Sequence, residues 1–157
     1  MLKIPCDLTY RSLICVVLLV KKRYALQNKW LYIHDKDVEF CRISEPKLFS
    51  KFNSPSNSTS LVVEIPCHTN DQIWHDKTIG DKVVDQLNDM GIVRKGKMEI
   101  LGVHRICFAY PIFTLGYKLS LGRVMKEISS IQNLKVAGRT GSFRYLNMDA
   151  CIGLAVQ

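Results

Sequence analysis

No apolar run in this chain is long enough to cross a bilayer as a helix. The longest, residues 13–20, stops well short of the roughly 20 residues that such a helix needs. Asp7 and Arg11 precede it, Lys21, Lys22 and Arg23 follow it, and no small-residue cleavage site is present, so it does not fit a secretory signal. No two of the six cysteines are spaced C-x-x-C, which removes the commonest zinc and dithiol motifs. His34, His68, His75 and His104 show no ligand spacing among themselves. Cys67-His68 with His75 comes nearest to a metal cluster and does not complete a four-donor set, so no metal site is expected. Neither G-x-S-x-G nor G-x-G-x-x-G occurs. Internal repeats, low-complexity tracts and long single-sign charge blocks are missing as well.

What remains is a globular composition. The apolar fraction is 47%, outside the disordered range, and 157 residues suffice for one ordinary core. The formal charge of +8 favours anionic partners, among them phosphate, a sugar nucleotide, a dinucleotide, nucleic acid or an acidic membrane surface; a solvated basic surface is the simplest reading. No zinc finger, RNA-recognition signature or aromatic–basic interleaving accompanies the charge, so nucleic acid is not expected as a partner. Cys15, Cys41 and Cys107 lie in apolar, strand-like runs where free Cys behaves as a small hydrophobe. Reduced thiols and a cytoplasmic location are the expectation.

Residues 13–20 read as a strand buried on both faces, because they are apolar without alternation. Residues 30–33 and 38–43 read as two short strands around the turn at Asp35-Lys36-Asp37. Residues 44–60, rich in Ser, Pro, Asn and Lys, read as a surface loop. Residues 61–65 form a strand stopped by Pro66, and residues 98–108 form another ahead of Pro111. Ile79, Val83, Leu87 and Met90 recur three or four apart, predicting a helix over 78–90, started at Asp76 or Thr78 and ended by Gly91. Leu121, Val124, Met125, Ile128 and Ile131 predict a second helix over 117–131. A short strand over 134–137, a loop over 138–147 and a final helix over 148–156 complete the chain. The mixture predicts an α+β fold: a mixed or antiparallel sheet with helices on one face.

The segment 134–156 carries the most chemistry. A short strand ends at Gly138, a loop with Gly138 and Gly141 follows, and a helix opens at Met148 or Asp149. A helix N-terminus offers unpaired N–H groups and partial positive charge to an anion or an electron-rich carbonyl. Glycines let a ligand approach the main chain closely. Arg139 and Arg144 suit phosphate, and Phe143 and Tyr145 suit the flank of a planar ring. A plain strand–loop–helix connection capped by Asn147 or Asp149 accounts for the same spacing.

The run Gly138-Arg139-Thr140-Gly141-Ser142-Phe143-Arg144-Tyr145-Leu146-Asn147-Met148-Asp149 resembles the C-terminal flavin-binding segment of the FAD-dependent amine oxidase-like class, in particular proteins similar to UDP-galactopyranose mutase and protoporphyrinogen oxidase. Leu8-Thr9-Tyr10-Arg11-Ser12-Leu13-Ile14 resembles the strand entering that class's substrate domain. Trp30-Leu31-Tyr32-Ile33-His34-Asp35 with Cys41-Arg42-Ile43 resembles the hairpin that follows. Ser60-Leu61-Val62-Val63-Glu64 and Ala109-Tyr110-Pro111-Ile112-Phe113 fall in the expected order, so the resemblance covers nearly the whole chain.

The resemblance implies a substrate-domain-like region over 1–132 and a C-terminal FAD-binding segment over 133–157, joined in one compact unit. It implies that Gly138, Arg139, Gly141, Met148 and Asp149 contact FAD, with the α-helix amides facing the flavin's pyrimidine carbonyl. It places Arg139 and Tyr145 on the substrate side of the ring, with Tyr110 and Trp30 weaker candidates for substrate contacts. No individual catalytic side chain follows from it, because the flavin itself performs the redox step. The implied partners are a small anionic substrate and a separate N-terminal FAD-binding portion. Three features depart from the pattern. Gly153 directly follows Ile152, Leu146 occupies a commonly polar position, and the G-x-G-x-x-G that grips the ADP half of FAD is missing, so FAD binding by this chain alone is expected to be weak or absent. The expected function is the C-terminal portion of a FAD-dependent oxidoreductase; the alternative is a remnant without redox activity that binds a sugar nucleotide or a protein.

Overall fold

The computed structural model describes residues 7–156 and is an α+β arrangement. Its strands are β1 (Thr9–Val20), β2 (Trp30–Tyr32), β3 (Arg42–Ser44), β4 (Thr59–Cys67) and β5 (Met98–Ile112), and its helices are α1 (Gln72–His75), α2 (Ile79–Asp89), α3 (Tyr117–Ser129), α4 (Gly138–Gly141) and α5 (Met148–Ala155). The strands form one sheet in the order β2-β3-β4-β1-β5. The pairs β2–β3, β3–β4 and β4–β1 are antiparallel. By contact the chain divides into two compact units: Ser12–Ile106, and a second made of residues 7–11 with 107–156.

In the unit Ser12–Ile106, β1 alternates. Ile14, Val16, Leu18 and Val20 are fully buried, whereas Cys15, Val17 and Leu19 are half-buried on the other face. The expectation of a strand buried on both faces is therefore corrected: beyond Leu13, which is also buried, only one face is core. β4 matches it with Leu61, Val63, Ile65 and Cys67 inward. Over this layer α2 lays Ile79, Val83 and Leu87, three of the four residues read from the spacing, together with Val84, while Met90, the fourth, is exposed. Gly80 permits the close approach: a Cβ there would stand 3.1 Å from Ile100 Cδ1 on β5. Asp76 organises the start of α2 by accepting the Thr78 N–H and hydroxyl, each at 2.7 Å, while Thr78 itself makes no side-chain cap. Gly91, at φ +70°, ends the helix in the left-handed region that favours glycine.

Two strands outrun their prolines. β4 continues through Pro66, which pairs with Leu13. The Glu64 carbonyl accepts from Cys41 N–H on the β3 side of β4, so two residues on, Pro66 also turns its nitrogen to that side. β3 pairs with β4 only at 62–64, so no ladder bond is lost there. β5, at the sheet's edge, likewise runs past Pro111. The expected strand over 38–43 is displaced to 42–44, because Phe40 turns into the core and Asp35 holds the turn through Asp37 N–H at 3.0 Å. The loop over 44–60 is not purely a surface feature, since Glu45 and Lys47 within it are buried.

The second unit has little core of its own. Among the described residues, all fully buried aliphatic and aromatic side chains except Phe143 belong to the unit Ser12–Ile106. Phe143 is ringed by Tyr10, Phe113 and Tyr117, with centroids 5.1, 6.0 and 5.8 Å away. Tyr10 also donates its hydroxyl to Thr140 O at 3.1 Å. On α3, Leu121, Val124, Met125 and Ile128 share the predicted face but are only half-buried, and neither α3 nor α5 contains a fully buried residue. The expected strand over 134–137 does not form; no described strand pairs with it, and the chain reaches Gly138 as irregular backbone. Gly138–Gly141 coils into α4 rather than remaining a loop. Cys107, expected in an apolar interior, is exposed on β5.

Candidate functional site

Ala137 is extended, and Gly138 at φ +75° then reverses the chain into α4. That backbone is costly for any residue with a Cβ, so Gly138 is set by conformation. The space around it is open: a Cβ there would meet nothing within 4 Å. Gly141 closes α4 against Val136, 3.6 Å from where its Cβ would stand. Phe143 also adopts a positive φ, +48°, while 1% exposed. A bulky residue in that region costs on the order of 1–3 kcal/mol and persists where its surroundings over-determine it; here the ring of Tyr10, Phe113 and Tyr117 does so.

Arg139 folds back on the turn that α4 begins. Its Nε and Nη2 both donate to Leu146 O, at 3.0 and 2.7 Å, and its backbone carbonyl accepts from Arg144 N–H at 3.1 Å. The guanidinium carbon sits 4.4 Å from the Tyr145 ring centroid and 5.1 Å from that of Tyr110. The two rings are themselves near-parallel, 5.9 Å apart. Another ring does not fit between them, because two stacking contacts of about 3.5 Å each need about 7 Å. The guanidinium therefore lies beside the tyrosine pair, and any planar ligand stacks on an outer face. Tyr145 is 62% exposed and offers one. No carboxylate pairs with Arg139 among the described residues, so its charge remains available to an anion.

Two residues past the carbonyl that Arg139 holds, α5 begins. Asn147 stands at the N-cap without a side-chain cap bond, and residues 147–150 are exposed. The first amides of a helix have no intrahelical acceptor, and among the described residues no side chain caps them. Asp149, the acid of the first turn, already complements the helix dipole. Its charge opposes a phosphate and leaves a carbonyl oxygen as the better guest. Next to this turn, Phe113, Tyr117, Leu121, Met125, Tyr145 and their neighbours line an open depression of about 660 Å³.

The structure thus joins Arg139, Tyr110 and Tyr145 through direct contact, places Gly138 and Gly141 at the ends of one turn, and sets Met148 and Asp149 at an open helix start. Trp30 belongs to the unit Ser12–Ile106, where it stacks on Phe49 with centroids 5.7 Å apart. Sequence spacing missed a row across four strands of that unit: Tyr32, Arg42, Glu64 and Cys15 are direct register partners in succession. Arg42 holds Glu64 through Nε at 3.0 Å and Nη2 at 2.6 Å, with its guanidinium 5.8 Å from the Tyr32 centroid. Burial, and then the Glu64 charge, push the Cys15 thiol up, against a smaller opposing pull from Arg42. A protonated thiol and a carboxylate-neutralised arginine offer neither a nucleophile nor an anion site, so the row is a cross-strand brace. Among the described residues no group of three His, Cys, Asp or Glu side chains is placed to hold a metal ion, and no helix is long and apolar enough to cross a membrane.

No protein-family model matches the chain, and no curated protein is similar to it in sequence. Its structure is similar to that of reduced UDP-galactopyranose mutase, with a TM-score of 0.72 and 22% identity over 88% of this chain and 30% of that one. It is also similar to a putative protoporphyrinogen oxidase from Exiguobacterium sp. 255-15, with a TM-score of 0.64 and 18% identity over 95% of this chain and 34% of that one. The likeness is one of fold, and the chain spans about a third of the length of each of these proteins.

Proposed function

We propose that this chain is the C-terminal portion of a FAD-dependent oxidoreductase of the amine oxidase-like class, supplying a substrate-side sheet and the last flavin-contacting turn and helix. One observation carries the reading most: the uncovered start of α5 lies just past Leu146, whose carbonyl is fixed by an Arg139 without a carboxylate partner. When bound, the flavin supplies hydride or electron transfer. The residues present fit it. The amides at the start of α5 would receive a pyrimidine carbonyl and stabilise negative charge gathering there. Gly138 would leave open space beside the ribityl chain. Arg139 and the outer face of Tyr145 would hold an anionic substrate, with Tyr110 backing the guanidinium.

The thin core of the second unit supports a further part of this reading. Leu115, Leu119, Met148, Ile152 and Val156 are all at least 64% exposed. Exposed apolar side chains gathered on one unit mark a surface that another polypeptide segment covers. In this proposal that segment is the FAD-binding portion carrying the missing glycine-rich motif, upstream in one polypeptide or on a separate chain.

The test is a titration of the purified chain with FAD, read by flavin fluorescence. Saturable but weak binding is expected, with a dissociation constant on the order of 0.1 mM, weakened several-fold by Arg139→Ala. A flat response up to millimolar FAD, or one indifferent to Arg139→Ala, would favour instead the remnant without redox activity that binds a sugar nucleotide or a protein.

A further inference from the structure

A second cavity lies in the unit Ser12–Ile106 and owes nothing to the flavin reading. It is an open depression of about 960 Å³ lined by Arg23, Tyr24, Lys47, Lys51, Phe52 and the loop 53–57. Two acid-free stretches meet there: residues 20–34, with four Lys or Arg, and residues 46–63, with two. Most of the chain's net charge of +8 is thus gathered in these two segments, and no Asp or Glu lines the cavity.

The walls are fixed by two buried charges. Glu45, 0% exposed, accepts from Ala25 N–H at 3.1 Å, Leu26 N–H at 2.6 Å and the Thr59 hydroxyl at 2.6 Å, tying both stretches together. Lys47, 4% exposed, donates its ammonium to the carbonyls of Pro55, Ser56 and Ser58, the last two at 3.1 and 2.6 Å. No salt bridge neutralises it among the described residues. The consequence is geometric. Peptide bonds here are trans, so each N–H points opposite to the carbonyl of its own peptide plane. With the Pro55 and Ser56 carbonyls drawn to Lys47, the N–H groups of Ser56 and Asn57 point away from it. Both residues line the cavity, and neither amide has an acceptor among the described residues. Successive free amides backed by a buried cation make an anion cradle.

The exposed side chains add the rest. Arg23 and Lys51 bring two exposed cations. Phe52 is 84% exposed, with Lys51 Nζ 5.2 Å from its centroid. A large apolar ring held out in water beside a cation is a stacking platform for a base.

We infer that this cavity binds a nucleoside phosphate, with the phosphate at the Ser56 and Asn57 amides between Arg23 and Lys51 and the base on Phe52. The test is isothermal titration of the full chain with ADP, adenosine and inorganic pyrophosphate, and with an oligothymidylate as the polymer arm. ADP should bind more tightly than either half-ligand, at least tenfold, because base and phosphate are held by separate groups. The exposed substitutions Arg23→Ala with Lys51→Ala should weaken ADP about tenfold, and Phe52→Ala several-fold, with unchanged circular dichroism. Arg139→Ala should leave ADP binding intact, which keeps this site distinct from the proposed flavin contact. No ADP binding at millimolar concentration, binding indifferent to the three substitutions, or pyrophosphate binding as tightly as ADP would overturn the inference. So would an oligothymidylate affinity far above that of ADP with a steep salt dependence, which would assign the cavity to a nucleic-acid strand.

Discussion

Arg139 holds Leu146 O with two of its N–H groups while its guanidinium carbon rests 4.4 Å from the Tyr145 centroid. One side chain thus closes the turn from α4 to α5 and stacks on the residue next to its acceptor. Lysine has neither the fork nor the flat face for this. Arg139→Lys should speed amide hydrogen exchange across residues 140–147 about tenfold, the equivalent of roughly 1.4 kcal/mol lost from one charged hydrogen bond and one stacked contact.

Phe143 is the only fully buried hydrophobic side chain among the described residues of its unit. Phe143→Ala should cost about 3–5 kcal/mol through the cavity it leaves, and alanine would still carry the positive-φ strain. Because the other buried hydrophobics lie in Ser12–Ile106, the loss should be local. Hydrogen exchange should rise over residues 107–156 while β1, β4 and α2 keep their protection through residues 14–20, 59–67 and 79–89. Uniform loss across the chain would show that the two units melt as one.

Asp76 links acidity to the start of α2. Lys82, then the Thr78 hydroxyl and amide, lower its carboxyl from 3.8 to about 2. A depressed acid stabilises the fold above its unfolded value, and that contribution disappears as pH falls through the folded one. Urea midpoints should therefore carry a component lost between about pH 4 and pH 2. Asp76→Asn should remove it, flattening the profile there while lowering stability at neutral pH.

The raised pKa of the Cys15 thiol keeps it protonated at neutral pH, and it is only half exposed. Cys107 is exposed. Iodoacetamide labelling followed by peptide mass mapping should modify Cys107 well before Cys15, since the thiolate is the reacting species. Equal rates would place Cys15 in a different environment.

The two longest helices were legible in the sequence because each carries its own period. Ile79, Val83 and Leu87 mark α2, and Leu121, Val124, Met125 and Ile128 mark α3, within a turn of the observed ends. Strand ends were less legible. Pro66 reads as a stop, yet whether a proline ends a strand depends on which neighbour its nitrogen faces, and that is set by register with β3. Register also hid the row from Tyr32 to Cys15, whose members are far apart in sequence. Residues 134–137 have strand composition but no described edge to join. Glu45 and Lys47 sit in a Ser- and Pro-rich loop that reads as solvated, and only the carbonyls and amides folded around them account for their burial. At the candidate site, the start of α5 could be read directly, whereas the helical turn that Gly138 opens could not. The contact of Arg139 with Tyr110 could not, since nothing in local sequence joins β5 to α4.

The central claim is that the first amides of α5 face the flavin. Amide hydrogen exchange measured by NMR with and without saturating FAD tests it directly. The account predicts slowed exchange at Met148, Asp149 and Ala150 on FAD addition, reduced in Arg139→Ala. Bound FAD that leaves those three amides exchanging at their free rate would contradict it.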